Sequence, residues 1–448
     1  MAPKPAIDRR TRQLAAALTP TWLAAQRWYR SKSRRLAGVE LVDVAAIPDT
    51  PGWLLVLRAT DDAGGVARYL VPAVEDGDVF REPRDGEGVW RGLASLIVAG
   101  GELQGAGGSW AFASTSLVDQ LLSGRGTALA GLSERRLTGE QSNTSVAFGD
   151  RLMLKLYRLL EPGANPEVEM NAFLTSVGFA HAPALAGSAS YLLNGELYSS
   201  VMLQEFVASS GDGWSWLLDR LAAAPDGPSE AITGITQVGS LTAEMHAALA
   251  CRPETPGFPS RPVTRDELAG WRADAERQLE DALAALNGSM LARLATITPQ
   301  IAARLDAIPT ASSASVTRIH GYYHLGQLLR TQRGFVVIDF EGEPARTLAE
   351  RRAPASPLRD VAGMLRSLDY AAHSVDAIGA SPTGLATWLR DARAALLAGY
   401  GGIQQGDQAL LDAFELEKAC YEIRYEANNR PDWVWLPLGA LERLVLTD

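Results

Sequence analysis

The run from His320 to Gln327, HGYYHLGQ, combines ring nitrogens, glycine and one side-chain amide, and a short apolar stretch, Phe335 to Ile338, comes soon after it. Asp339 follows directly on that stretch, twelve residues after Gln327. An amide oxygen and a carboxylate at the base of a hairpin are hard oxygen donors. Mg²⁺ prefers such donors when phosphate and water complete its shell. The same residues also fit a hairpin with polar ends, because loop positions are commonly polar.

A second set lies earlier. Gly139 to Thr144, GEQSNT, is a small polar turn between two strand-like runs, able to point backbone N–H groups at phosphate. Lys155 falls inside the apolar run Leu152 to Tyr157. A charge in a half-buried strand needs a partner, and Glu167 and Glu169, at the opening of the next helix, can each supply one. A strand lysine held by a helix glutamate is how kinase-type sites grip phosphates. The alternative is a strand-edge lysine whose stem reaches out to water.

The third set is helical. Glu415, Glu422, Glu426 and Asn429 follow spacings of seven, four and three, which places them on one face. Tyr421 and Tyr425 flank that face, and Trp433 and Trp435 come just after Pro431. Carboxylates, an amide and aromatic rings suit a polyhydroxylated ligand, through hydrogen bonds to hydroxyls and stacking on ring faces. A solvated face with ordinary pairs such as Lys418–Glu422 is the alternative.

Together these segments resemble the aminoglycoside-phosphotransferase-like kinases, and more closely the actinobacterial maltokinase and glucosamine kinase group. HGYYHLGQ and IDFEGEP are similar to that group's catalytic segment, usually H-G-D-x-H-x-G-Q and then I-D-F-E-G-E-P. GEQSNTSVAFGDRLMLKLYRLLEPGANPEVE is similar to its phosphate loop, lysine strand and acidic helix start, and YEIRYEANNRPDW to its acceptor segment. The resemblance runs from QRWYRSKSRRLAGVELVD to the Arg-Pro-Asp-Trp segment. It implies an α+β, bilobal protein-kinase-like fold with an N-terminal cap subdomain, and phosphoryl transfer from ATP to a sugar hydroxyl. Ser142, Asn143, Thr144 and Lys155, with Glu167 or Glu169, would hold ATP. Glu205 and Val207 lie where the interlobe connection holds adenine. Gln327 and Asp339 would hold Mg²⁺, assisted by Glu341. His324, Glu422, Tyr425, Glu426, Asn429 and Trp433 would contact the acceptor, and Asp360 would brace the catalytic loop.

One position departs from the pattern. Tyr322 stands where the group carries its catalytic base, an aspartate. A tyrosine hydroxyl, with a pKa of about 10, is a poor base at neutral pH. An amino sugar is cationic, and desolvating a cation calls for carboxylate partners. Glu422 and Glu426 therefore favour glucosamine over the neutral disaccharide maltose. Maltokinase activity is the alternative, and an antibiotic phosphotransferase is a third reading. A non-catalytic nucleotide or sugar binder is the reading of another class, raised by Tyr322.

Positioning these residues requires particular elements. The spacing predicts a first helix from Asp8 to Gln26, broken at Pro20. Strands follow at Val39–Ile47 and Trp53–Arg58 and again up to Val71, with a hairpin loop at Asp61–Gly65. Gly100 to Gly108 holds five glycines and reads as a flexible joint. Short strands then lead into a helix from Glu167 to about Val177, and more strands run to Phe206. Long amphipathic helices begin near Gly213, interrupted by a strand–loop–strand insert from Ser315 to Phe340, and a tail begins at Pro431. The expected division is a cap at 1–105, a β-rich portion at 106–207 and a helical lobe at 208–448.

Composition sets outer bounds. Of 448 residues 42 are Lys or Arg and 52 Asp or Glu, a formal charge of −10, which argues against a nucleic-acid partner. No apolar run is long enough for a bilayer span, and the first residues do not read as a signal peptide. Two distant cysteines, Cys251 and Cys420, exclude a disulfide scaffold and fit a reducing cytoplasm. Arg27 to Arg35 is a basic cluster that reads as solvated surface. The sequence leaves the oligomeric state open.

Overall fold

The structure, a computed structural model, describes residues 7–29, 34–123, 128–137, 142–223, 229–308, 314–377 and 384–446. Residues 30–33 of the basic cluster and residues 138–141, which include the first half of the polar turn, lie outside the described residues. The chain divides into two compact units, Met1–Ala208 and Ser209–Asp448.

The first unit opens with α1 (Arg9–Leu14) and α2 (Pro20–Ala24), broken just before Pro20 as expected. Thr19 explains the separation: its Oγ accepts from Trp22 N at 3.2 Å, and Pro20 takes the first helical position, where its missing N–H costs nothing. Strands β1 (Leu36–Ala46), β2 (Gly52–Asp61), β3 (Val66–Asp76) and β4 (Val79–Arg81) form an antiparallel meander. Helix α3 (Val89–Ala99) follows, then β5 (Gly101–Gln104), β6 (Ser109–Ser114), α4 (Val118–Ser123), β7 (Glu134–Arg136), β8 (Asn143–Phe148), β9 (Leu152–Tyr157), β10 (Leu159–Leu160), α5 (Pro166–Ser176), β11 (Leu185–Leu193) and β12 (Glu196–Glu205). A second antiparallel sheet has the order β5-β6-β11-β12-β9-β8-β7, and β10 joins the first sheet beside β3. Helix α3 was not expected from the sequence. It buries Trp90, Leu93 and Ile97 and turns Arg91 and Ser95, four positions apart, to its other face.

The glycine-rich stretch at 100–108 is not a flexible joint. It forms β5 and the turn into β6, locked on the buried carboxylate of Asp43. That carboxylate accepts from Gly107 N at 2.6 Å, Gly108 N at 2.7 Å and the Tyr191 hydroxyl at 2.7 Å. A Cβ on Gly108 would run into the Leu192 carbonyl, so glycine here permits close packing rather than motion. Nearby, Arg158 is buried just beyond β9. Its Nε donates to Thr144 Oγ at 2.8 Å, its guanidinium lies 2.9 Å from Glu82, and it covers the ring of Trp28. This links the first sheet's layer to the start of β8.

The second unit is helical. It contains α6 (Gly213–Ala223), α7 (Ser229–Ala250), β13 (Arg261–Pro262), α8 (Arg265–Ala285), α9 (Gly288–Asp306), β14 (Ser315–Val316), β15 (Leu328–Thr331), β16 (Gly334–Val337), α10 (Leu348–Arg352), α11 (Leu358–Ala377), α12 (Leu385–Tyr400), α13 (Gln408–Asn429) and α14 (Trp435–Leu446). Helix α13 packs against α8 and α11, and α7 against α12. The α7–α12 contact depends on glycine: a Cβ at Gly239 would strike the Leu396 carbonyl. The expected tail is instead helix α14, which buries Leu436, Leu438 and Leu441. Pro437 sits in the first turn of this helix, where proline is tolerated. Among the described residues no helix is long and apolar enough to cross a membrane. Both cysteines are free, Cys251 exposed and Cys420 buried.

Candidate active site

In the first unit Lys155 projects from β9, paired in register with Ser145 of β8 and Met202 of β12. Its Nζ lies 2.9 Å from Glu167 Oε2, with both side chains nearly sealed from solvent at 6% and 3% exposure. The Tyr157 hydroxyl donates to the same oxygen at 2.9 Å. Glu167 is fixed by how α5 begins. Asn165 caps the helix by accepting from Glu167 N at 2.8 Å, and Pro166 occupies the first position. Of the two candidate acids the structure pairs Glu167 with Lys155, while Glu169 is half-buried two positions on. Asn143 and Thr144 are buried on β8, with Thr144 engaged by Arg158, and Ser142 is half-buried just before them. Glu205 ends β12 with its N–H committed to the Ala184 carbonyl at 2.8 Å, and Val207 follows, half-buried.

In the second unit the HGYYHLGQ loop hangs on Asp360, at the start of α11. One carboxylate oxygen accepts from Gly321 N at 2.9 Å, and the other accepts from His320 N at 2.8 Å and meets His246 Nε2 at 3.1 Å. His320 Nε2 reaches the Ile338 carbonyl at 2.9 Å, tying the loop to the end of β16. The hairpin β15–β16 then brings Gln327 and Asp339 together, with Gln327 Nε2 donating to Asp339 Oδ2 at 3.2 Å. Asp339 adopts φ of +65°, a left-handed conformation that aspartate tolerates better than most residues. Carboxylate oxygens of Asp339 and Glu341 come within 4.8 Å of one another. With the Gln327 amide oxygen this is an all-oxygen donor set of the kind that suits Mg²⁺.

A cavity of about 530 Å³ opens beside this loop, within the size range of small-molecule sites. Tyr322 and His324 line one wall, and Tyr421, Glu422, Tyr425 and Glu426 of α13 line another, with Trp433 at the rim segment. The rings of Tyr322 and His324 meet edge to face at 5.0 Å, and the Lys418 ammonium lies 5.1 Å from the centre of the Tyr322 ring. Burial, then the nearby Glu343 carboxylate, pushes the Tyr322 hydroxyl above its ordinary range, so it keeps its proton at neutral pH. Burial also drives His324 down to about 4, leaving a neutral ring whose Nδ1 accepts from Gly326 N at 3.1 Å.

The acids of α13 do not stand as open carboxylates. Glu422 is held by Arg366 of α11 through Nε at 3.0 Å and Nη2 at 2.7 Å, and burial pushes its carboxyl up against that pull. Glu426 takes Arg430 at 2.6 and 2.9 Å and the Tyr370 hydroxyl at 3.2 Å. Glu415 leaves the stripe altogether, as a buried partner of Arg393 at 2.8 and 2.9 Å. Asn429 is exposed and lies off the cavity; its amide turns back to the Tyr425 carbonyl at 2.8 Å and closes the last turn. Trp435 packs by His373 instead.

The arginine partners and Tyr370 were missed in the sequence, and Lys418, read there as a partner of Glu422, lies over the Tyr322 ring while Arg366 holds Glu422. A signal for α11 was present: Asp360, Gly363, Ser367, Tyr370 and Ser374 follow spacings of three, four, three and four, and all five line the cavity.

An antiparallel sheet carrying a lysine paired to a helix acid, and a helical unit carrying an oxygen-rich hairpin, define an α+β kinase-like protein of the aminoglycoside-phosphotransferase type, with a cap subdomain at its N-terminal end. Residues 133–386 match the phosphotransferase enzyme family, more than half of the chain, and residues 22–83 match the maltokinase N-terminal cap domain. The chain belongs to the phosphotransferase enzyme family. It is similar to a glucosamine kinase of Streptacidiphilus jiangxiensis, 29% identical over 402 residues, which span 85% of this chain and 86% of the relative. It is also similar to a glucosamine kinase of Mycolicibacterium smegmatis, 28% identical over 404 residues, 86% of this chain and 97% of the relative. A solved glucosamine kinase, in complex with glucosamine, ADP and inorganic phosphate, superposes with a TM-score of 0.73 at 24% identity, covering 99% of this chain and 100% of that one. The fold is therefore shared along nearly the whole length, and the resemblance drawn from the motifs is borne out.

Proposed function

We propose that this chain is built to transfer the terminal phosphoryl group of ATP to a hydroxyl of glucosamine, forming glucosamine 6-phosphate. The observation that carries the reading is the meeting, in one cavity, of Tyr322 from the catalytic-type loop with Glu422 and Glu426 from a helix a hundred residues later. The similarity to glucosamine kinases over most of the chain supports the choice of acceptor.

Lys155, oriented by Glu167, supplies the cation for the nucleotide phosphates, with Ser142, Asn143 and Thr144 at the edge of the phosphate turn. Glu205 and Val207 offer backbone to the adenine. Gln327 and Asp339, with Glu341 beside them, would hold Mg²⁺, which when bound offsets charge on the phosphate oxygens. Glu422, Tyr425, Glu426, Trp433 and His324 face the acceptor, and Asn429 would contribute only by turning away from Tyr425. The cap is assigned to 1–105, the nucleotide portion to 106–207 and the acceptor lobe to 208–448. Free cysteines and a need for ATP support a cytoplasmic location for the activity.

Tyr322 limits the rate. Its protonated hydroxyl cannot take the acceptor's proton, and its ring occupies cavity space where that acceptor would lie. Phosphoryl transfer has a loose transition state and rests mostly on positioning, so slow turnover survives the loss of a base. The same residue favours a second reading, a chain that binds nucleotide and sugar without turnover. The match to the maltokinase cap domain gives weaker support to maltose as acceptor. A coupled ADP-release assay with glucosamine, maltose, glucose and kanamycin, on this chain and on Tyr322→Asp, tests all three. ADP release with maltose and none with glucosamine in either protein would overturn the reading.

A further inference from the structure

Four arginine–glutamate pairs line or border the cavity, and they differ in how free the arginine is. Arg366, which holds Glu422, is 1% exposed and also holds Asp369. Arg359, which holds Glu417, is 15% exposed and packs over the Phe414 ring. Arg346, beside Glu343, is 39% exposed. Arg430 is the most exposed at 50%, yet its partner Glu426 is the most deeply buried of the four acids, at 2%.

We propose that Arg430 is a displaceable counter-ion that reserves Glu426 for a cationic acceptor. Glu426 cannot stand empty, because a buried carboxylate stripped of its partner is strongly destabilised. Arg430 supplies that partner from the first position past α13, where backbone N–H also bonds the Glu426 carbonyl at 2.7 Å. Its guanidinium lies over the ring of Trp433, 5.1 Å from its centre, and both residues line the cavity. The arginine therefore has a resting place against the ring and water when it leaves the acid. An ammonium group entering the cavity can replace the guanidinium on Glu426, and the Tyr370 hydroxyl continues to donate to the same carboxylate. A neutral sugar cannot make that exchange, since its hydroxyls bring no charge to balance the acid. The neighbouring Glu422 is not available in this way, because Arg366 is buried and shared with Asp369. Arg430 is thus a specificity-determining residue: it taxes every ligand that needs Glu426, and only a cation recovers the cost. Apparent affinity is the intrinsic affinity reduced by the fraction of molecules in which Arg430 has moved aside.

This inference rests on the amino-sugar reading and is tested separately from it. Glucosamine, N-acetylglucosamine and glucose are titrated calorimetrically into the full chain, Arg430→Gln, Arg430→Lys and the double variant Arg430→Gln/Glu426→Gln. Arg430→Gln should bind glucosamine at least about fivefold more tightly, with glucose and N-acetylglucosamine changed less than about twofold. The double variant should lose the gain. Arg430→Lys, which keeps a charge near the acid, should fold even if Arg430→Gln does not, and should show a smaller gain for glucosamine alone. Unchanged or weaker glucosamine binding in whichever of these variants folds would overturn the proposal, making Arg430 a fixed wall. If the unaltered chain binds maltose and no form binds glucosamine, the amino-sugar reading fails and the proposal with it.

Discussion

Lys155 and Glu167 lie twelve residues apart in sequence, on a strand and the helix that follows it. Glu417 and Glu422, beside the acceptor cavity, find their arginines 58 and 56 residues away on another helix. The unit proposed to hold nucleotide places one cation with local means, whereas the unit proposed to hold the acceptor surrounds its cavity with acids neutralised by distant arginines, for Glu417 and Glu422, and by near ones, for Glu343 and Glu426. A lysine that must meet phosphate needs orientation only. A wall that must tell one sugar from another needs control over which carboxylates are open, and that control comes from the arginine opposite each one. The two regions should therefore respond differently to the loss of a single charge.

The largest effect is expected in the acceptor unit. Arg366→Met leaves Glu422 buried without its arginine and Asp369 with Arg443 alone, and should cost about 3–5 kcal/mol in denaturant unfolding. A loss below about 1 kcal/mol would mean that water already serves these acids. Next comes the reaction itself. Tyr322→Asp restores a base and removes a ring from the cavity, and should raise the glucosamine-dependent rate at least about a hundredfold. An ordinary sugar-kinase rate in the unaltered chain, left unchanged by Tyr322→Asp, would place the base elsewhere.

The nucleotide unit should show a smaller and more local response. Lys155→Ala should weaken ATP binding by about ten- to a hundredfold in calorimetry, the value of a charge-assisted contact. Glu167→Gln should weaken it in the same direction and Glu169→Gln by less than about twofold. Equal effects of the two glutamine variants would remove the assignment of Glu167. The smallest effect concerns pH. His324 is held near 4 by burial, below its ordinary 6.5, so the folded chain rejects a proton that the unfolded chain binds between those values. Stability should then fall as pH drops from about 6.5 toward about 4. His324→Asn should flatten that part of the profile in denaturant titrations at pH 7.5 and 5.

Much of both regions was legible because it depends on short-range pattern. Gln327 and Asp339 flank a tight hairpin, and an apolar run ending on an acid identifies it. Lys155 inside Leu152–Tyr157 announces a buried cation, because strand alternation leaves it no exposed face. Of the stripe residues on helix α13, Glu422 and Glu426 do face the cavity. The choice between Glu167 and Glu169 was not legible. Both lie in the first turn of α5, and only the packed position of β9 decides which carboxylate reaches Nζ.

The kinase-like class and the departure at position 322 were read from a resemblance to a known group, whereas the strand that carries Lys155 and the oxygen-donor hairpin were determined by the sequence itself. These last two follow from residue type and from periods of two and 3.6, which act over a few residues. The tertiary structure alone decided that the glycine-rich stretch at 100–108 is a packed turn on Asp43, that Glu415 is sequestered by Arg393, and that Glu417 and Glu422 meet arginines of α11. An ion pair between residues dozens of positions apart depends on how two helices pack and at what depth. A one-dimensional pattern does not carry that depth, and it is depth that separates the fixed Arg366 from the movable Arg430.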